Sequence, residues 1–209
     1  MGVVYEAYDR GPRYPVLYLL HGAGDLSTSW VDVGRANFVL DNVIASGKAK
    51  PMIVVMPFGH AVTRRDPGAR TRNTELVAKD LLDGIIPAVE KAYRVAPGSA
   101  NRAIAGLSMG GGQALWTGLN NTDKFAYVAG FSSAVPEAAD VPNAAENAKR
   151  LKMLWIAIGK DDFLLDRNTK FEAWLKSENI AHKYQVTDGA HTWRVWRRYL
   201  AELTPLLFR

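Results

Sequence analysis

Arg102-Ala103-Ile104-Ala105-Gly106-Leu107-Ser108-Met109-Gly110-Gly111-Gly112 decides the fold. Residues 102–105 form a short strand-like run, and 110–119 continue with helical period. A Gly-x-Ser-x-Gly pattern between a strand and a helix is the setting of a nucleophile turn. Such a turn forces the serine backbone into a strained conformation. Side chains two residues before and after Ser108 would collide with it, and Gly106 and Gly110 remove them. Ser108 is then expected at the top edge of a sheet, where the first N–H groups of a helix favour developing negative charge. The same five residues could describe a plain glycine-rich turn with a capping serine. The flanking strand and helix weigh against that reading.

Working outward, residues 15–20, 52–56, 127–131, 153–158 and 183–186 read as further strands. Most are apolar throughout rather than alternating, as in strands buried on both faces. Residues 73–93, 110–119, 168–177 and 192–203 read as helices, the first capped by Asn73 or Thr74 with Glu75 in its first turn. Pro87 is expected to kink or end that first helix. The βαβα order predicts an α/β fold, a mostly parallel doubly wound sheet with helices on both faces. Its site lies beyond the carboxyl ends of the strands.

The 209 residues, 48% apolar and 22% charged, fit one globular catalytic domain over 1–209. The apolar runs at 15–20 and 52–58 are too short for a membrane span, so no membrane is expected as a partner. Met1-Gly2-Val3-Val4-Tyr5-Glu6 has no signal-peptide pattern. The chain has no cysteine, which excludes thiol catalysis and thiolate metal sites and is compatible with any compartment. The net charge of +5 is scattered, apart from Arg64, Arg65, Arg70 and Arg72 and the group Arg194, Arg197 and Arg198. With no recognition motif these read as solvated faces, and no nucleic acid is expected.

A serine hydroxyl needs a base. Of the four histidines, only His182 and His191 follow Ser108, and the order in this fold is serine, acid, histidine. His182 precedes the last strand, at the wrong edge of the sheet. His191 follows it and is the base. The acid belongs after strand 153–158, where Asp161 and Asp162 both stand, with Asp166 a weaker third. Position alone does not choose between the first two. The oxyanion donors are expected from the backbone N–H of Met109 and from the loop after the first long strand, Leu19-Leu20-His21-Gly22-Ala23-Gly24, at Ala23. Gly22-Ala23-Gly24 is a poor dinucleotide fingerprint because position 27 is serine. No histidine pair has metal-ligand spacing, so neither metal nor cofactor is expected.

With these residues in place, the chain resembles the esterase D branch of the α/β-hydrolases. The nearest likeness is to the feruloyl and acetyl-xylan esterases of carbohydrate esterase family one. The likeness rests on Tyr14–Gly22, on Ala105–Gly112, on Gly159-Lys160-Asp161-Asp162-Phe163-Leu164, and on His191-Thr192-Trp193 with Trp196–Leu200. The family's Gly-x-x-Asp pattern falls on Gly159 and Asp162, so the resemblance selects Asp162, and it supports Ala23 and Met109 as donors. It implies a serine carboxylic-ester hydrolase acting on feruloyl, cinnamoyl or acetyl esters of plant polysaccharides or similar small esters. Thioesterases of the S-formylglutathione hydrolase kind, general short-chain carboxylesterases, acyltransferases and a non-catalytic binding module on the same scaffold are the alternatives. Trp30, Phe163 and Trp193 stand in loops expected near the site and are candidates for an aromatic substrate wall. Relatives carry one or two more strands before the segment matching 14–22, where this sequence has only residues 1–5. The edge of strand 52–56 is then expected to be open, which invites a homo-oligomer, a dimer in the simplest case, or leaves the chain less stable than its relatives.

Overall fold

The computed structural model describes residues 11–63 and 69–209. Residues 1–5 and the arginines at 64 and 65, which entered the sequence reading, lie outside them. The elements run β1 (Val16–Leu20), α1 (Ser29–Asp32), α2 (Ala36–Ala45), β2 (Ile53–Val55), α3 (Ala69–Asp80), a π-turn (Leu81–Ile85), α4 (Ile86–Ala92), β3 (Arg102–Leu107) and α5 (Ser108–Asn120). Then follow β4 (Tyr127–Phe131), α6 (Ala144–Ala148), β5 (Met153–Gly159), α7 (Leu165–Ser177), β6 (Lys183–Thr187) and α8 (Trp193–Leu203). The six strands form one parallel sheet in the order β2-β1-β3-β4-β5-β6.

Because side chains alternate across a strand, an all-apolar strand feeds two cores at once. Leu17, Leu19, Val54, Ala105, Phe131 and Trp155 face a layer built from α1, α2 and α8. Val16, Tyr18, Ile53, Ile104, Val128 and Ile156 face the layer of α3 to α7. The strand order places β1 and β3 side by side at the centre, although the chain leaves them in opposite directions. After β1 it turns to α1 and α2 on one face, and after β3 it enters α5 on the other. A crevice opens where neighbouring connections diverge in this way. The loop after β1 and Ser108 both lie at that crevice.

Two details of the sequence reading are corrected. Asn73 caps nothing: α3 begins at Ala69, and Asn73 is buried in its second turn. Its carboxamide is spent on other backbone, accepting from Ala61 N–H at 2.7 Å and donating to the Gly59 carbonyl at 2.8 Å. Pro87 does not end the helical run. It sits in the first turn of α4, directly after the π-turn that makes the transition from α3, and helical residues continue to Ala92. The short helices α1 and α2 fall in a stretch where the sequence reading assigns no element. The spacing of Ala36, Val39, Leu40, Val43 and Ile44 against the core shows the helical period that was legible there.

Among the described residues β2 pairs with β1 alone, so that edge is open, but it is only three residues long. Several buried polar atoms lack a hydrogen-bond partner among the described residues, and the Tyr18 hydroxyl in the sheet's own core is one of them. The Tyr18 side chain is fully buried, edge-on to Phe125, and its hydroxyl has no hydrogen-bond partner among the described residues. An orphaned buried hydroxyl costs about 1–3 kcal/mol. Tyr18→Phe is therefore expected to raise the unfolding free energy by about 1 kcal/mol, read from a urea titration. A loss of stability on that substitution would contradict the packing described.

Candidate active site

The passage from β3 into α5 is abrupt. Leu107 is extended, and Ser108 takes the left-handed region with φ 52°. A Cβ on Gly106 would stand 2.3 Å from the Gly110 carbonyl oxygen, and one on Gly110 would stand 2.4 Å from that of His21. The glycines are thus required, but for a different reason from the one the motif offers. They let the first turn of α5 press against β3 and β1, and the serine side chain is not what they avoid.

The turn after β5 is stitched to the loop after β6. Lys160 N–H donates to the Thr187 carbonyl at 2.7 Å, and Asp161 N–H to that of Gly189 at 3.0 Å. This sets Asp162 opposite His191. The Asp162 carboxylate, whose side chain is fully buried, accepts from His191 Nδ1 at 2.9 Å on Oδ2 and 3.1 Å on Oδ1, and from Leu164 N–H at 2.9 Å. On the other side of the ring, His191 Nε2 lies 3.0 Å from Ser108 Oγ. A carboxylate only accepts, so the ring proton is on Nδ1, and the Nε2 lone pair faces the serine O–H. Burial works to raise the pKa of Asp162. The hydrogen bonds from His191 and Leu164 outweigh it and hold the carboxyl below its ordinary range. Asp161 and Asp166 are both exposed, and Asp166 pairs with Lys170 at 2.8 Å. His182 is remote, bonded to the Ile180 carbonyl at 2.7 Å.

A cleft of about 520 Å³ adjoins Ser108. Both expected donors, Ala23 and Met109, line it. Met109 is the second residue of α5, where helix geometry leaves N–H groups free, and Ala23 N–H makes no hydrogen bond among the described residues. The three aromatic candidates part company here. Phe163 lines the cleft, 75% exposed, with its ring 4.5 Å from that of His191. Trp30 is a correction: it is fully buried, donates its indole N–H to the Leu20 carbonyl at 3.0 Å, and packs edge-on against Phe131 and Trp193. Trp193 is half-buried between Trp30 and Trp196 and does not line the cleft either. A large ring in a loop can serve the core beneath a site as readily as its wall, and sequence does not separate the two. The aromatic wall that sequence reasoning missed is Trp116. Its signal was present, since Ser108, Met109, Gly112, Gln113 and Trp116 fall at helical spacing on one face of α5 and all line the cleft.

Chemically, the arrangement offers a hydroxyl, an acceptor for its proton, a carboxylate that orients the acceptor, and free N–H groups nearby. Asp162→Asn is expected to lower kcat by about 10³–10⁴-fold by disturbing the ring tautomer. The depressed pKa fixes the sign of the pH effect. The carboxylate adds stability above its unfolded pKa of ~3.9, and this is lost as pH falls through the lower folded value. Thermal denaturation of wild type and Asp162→Asn from pH 6 to pH 2 should therefore show wild type losing ground to the variant in acid. A difference independent of pH would exclude the ionised pair.

The chain is similar to known proteins in sequence and in fold. The family described as "Putative esterase" matches residues 2–207. An endo-1,4-beta-xylanase/feruloyl esterase of Xylanibacter ruminicola is 34% identical over 198 residues, 94% of this chain and 27% of the relative. The chain thus spans about a quarter of that protein's length. A solved ferulic acid esterase is 28% identical with a TM-score of 0.84, covering 98% of this chain and 89% of the other. A ferulic acid esterase of Anaeromyces mucronatus superposes with a TM-score of 0.86 at 23% identity, covering 99% and 83%. The shared scaffold is the α/β-hydrolase fold, and the match over nearly the whole length assigns the chain to the family described as "Putative esterase".

Proposed function

We propose that the chain hydrolyses carboxylic esters through an acyl-enzyme, with cinnamoyl-type acyl groups such as ferulate as its preferred substrates. Ser108 Oγ bonds to the ester carbonyl carbon as its proton passes to His191 Nε2. The carbonyl oxygen takes up the electron pair and is held by the N–H groups of Ala23 and Met109, an interaction worth roughly 3–4 kcal/mol per donor in enzymes of this kind. Collapse of the adduct breaks the ester C–O bond, and the departing alcohol takes the proton from Nε2. Water then attacks the acyl-serine with the same base, releasing the carboxylic acid. Asp162 holds the imidazole and stabilises its charged form throughout.

The observation that carries the substrate reading is the cleft. An acetyl group would occupy a small part of its volume, whereas about 300–1,000 Å³ suits a drug-sized ligand. Its lining sets Trp116, Phe163, Leu164 and Met109 beside Asp140, Thr63, Thr71 and Thr74, apolar surface for a ring together with partners for phenolic oxygens. The relatives described as ferulic acid and feruloyl esterases support the same reading.

The test compares p-nitrophenyl acetate with methyl ferulate for wild type, Ser108→Ala and Trp116→Ala. Both esters should be cleaved, Ser108→Ala should be inactive, and Trp116→Ala should lose about tenfold in kcat/KM on the ferulate while keeping the acetate. Cleavage of the acetate alone would leave the mechanism standing and remove the cinnamoyl assignment. Activity in Ser108→Ala would overturn the mechanism.

We also propose that two copies associate through the open edge at β2. Sedimentation equilibrium at micromolar concentration should show a dimer, and a monomer at all concentrations would exclude it.

A further inference from the structure

The mechanism above leaves one buried titratable side chain at the site unused. His21 is 1% exposed, at the end of β1, and both ring nitrogens are engaged. Nδ1 lies 2.8 Å from the carbonyl oxygen of Gly22, and Nε2 lies 2.9 Å from the backbone N–H of Gly59. A carbonyl only accepts and a backbone N–H only donates. The ring is therefore neutral, with its proton on Nδ1 and its lone pair on Nε2.

The Gly22 carbonyl belongs to the same peptide unit as the N–H of Ala23. That unit is planar and trans, so its carbonyl and N–H point in opposite directions. Whatever fixes the oxygen fixes the direction of the N–H. The oxygen is held twice, by His21 Nδ1–H and by Asp25 N–H at 3.2 Å. Behind the ring, Gly59 is itself anchored. Its carbonyl accepts from Asn73 Nδ2 at 2.8 Å and from Gln113 Nε2 at 3.0 Å, so α3 and α5 both grip it. The series runs from two helices through Gly59 and the imidazole to one peptide plane at the cleft.

From this we infer that His21 is a positioning residue for the oxyanion hole, aiming the Ala23 N–H at the reacting carbonyl through the Gly22–Ala23 peptide. The inference rests on the proposed role of Ala23 as an oxyanion donor. It also gives Asn73 and Gln113, buried at the cleft, a task other than contact with substrate: they hold the support on which His21 leans.

Two substitutions divide the ring's functions. An asparagine amide reaches the level of Nδ1, so His21→Asn keeps a donor for the Gly22 carbonyl and abandons Gly59. A glutamine amide reaches the level of Nε2, so His21→Gln keeps an acceptor for Gly59 and abandons Gly22. With p-nitrophenyl acetate, His21→Gln is expected to lose about 10–100-fold in kcat with KM within about threefold, since an oxyanion donor acts in the transition state. His21→Asn, which keeps the Gly22 contact but loses its brace at Gly59, should fall between wild type and His21→Gln. Equal loss of kcat in both variants, or full kcat in His21→Gln, would overturn the inference. A readout independent of activity comes from two-bond ¹⁵N–¹H spectra of the histidine rings in the intact wild-type protein. The His21 signal must show the Nδ1–H tautomer, and an Nε2–H pattern overturns the inference even if a variant fails to fold. Failure of the esterase reading itself looks different. Wild type would then leave the ester intact or Ser108→Ala would cleave it, and the role of His21 would fall with that reading.

Discussion

The close approach of the first turn of α5 to the ends of β3 and β1 governs the rest of this structure. It forces Ser108 to a φ of 52°, a conformation that is unfavourable for a residue with a Cβ. The surrounding packing over-determines it. Ala134 N–H donates to the Ser108 carbonyl at 2.9 Å, and Gly106 and Gly110 leave no room between the helix and the strands. The loop after β1 is drawn to the same point, because the carbonyl oxygen of His21 is what a side chain at position 110 would strike. One compact contact therefore sets where the hydroxyl stands, where α5 begins and where the Gly22–Ala23 peptide passes.

Around that contact, the sheet acts as a rigid spacer. The parallel register carries β3, β4, β5 and β6 to the same edge, so the loops after β5 and β6 emerge beside each other and close on Asp162 and His191. Burying a carboxylate is costly unless its acceptor sites are filled. Here the imidazole and the Leu164 N–H fill them, and the same bonds that make burial tolerable also orient the ring. Stability and chemistry are supplied by one set of hydrogen bonds.

The aromatic residues show how the two demands divide. Trp30, Phe131, Trp155, Tyr199, Trp193 and Trp196 meet edge to face beneath the carboxyl ends of the strands. His191 rests on this cluster through Trp196, ring centroids 4.9 Å apart. The cluster is a floor that fixes the histidine from below. The cleft itself is walled by other aromatic residues, Trp116 on α5 and Phe163 beside His191.

The residues that carry a local signal could be read in order along the chain. The strand-turn-helix at Ser108, the unbroken apolar strands and the sequence of serine, acid and histidine each depend on neighbours within a few positions or on simple order. They were enough for the fold class and for naming Ser108 and His191, which the fold brings within hydrogen-bond distance of each other. The choice of Asp162 over Asp161 needed either a family pattern or the fold, because adjacent residues differ only in which way a turn points them. Other features were decided by tertiary contacts between segments distant in sequence. Asn73 reads as a cap until Gly59 and Ala61 are brought against it. Trp30 reads as a wall until Leu20, Phe131 and Trp193 enclose it. His21 reads as the end of a strand until Gly59, 38 positions away, donates to it. Sequence fixes what a residue can offer, a ring, an amide or a carboxylate. Which partner takes the offer depends on the packing of helices and loops over the sheet, and short-range pattern holds no record of that.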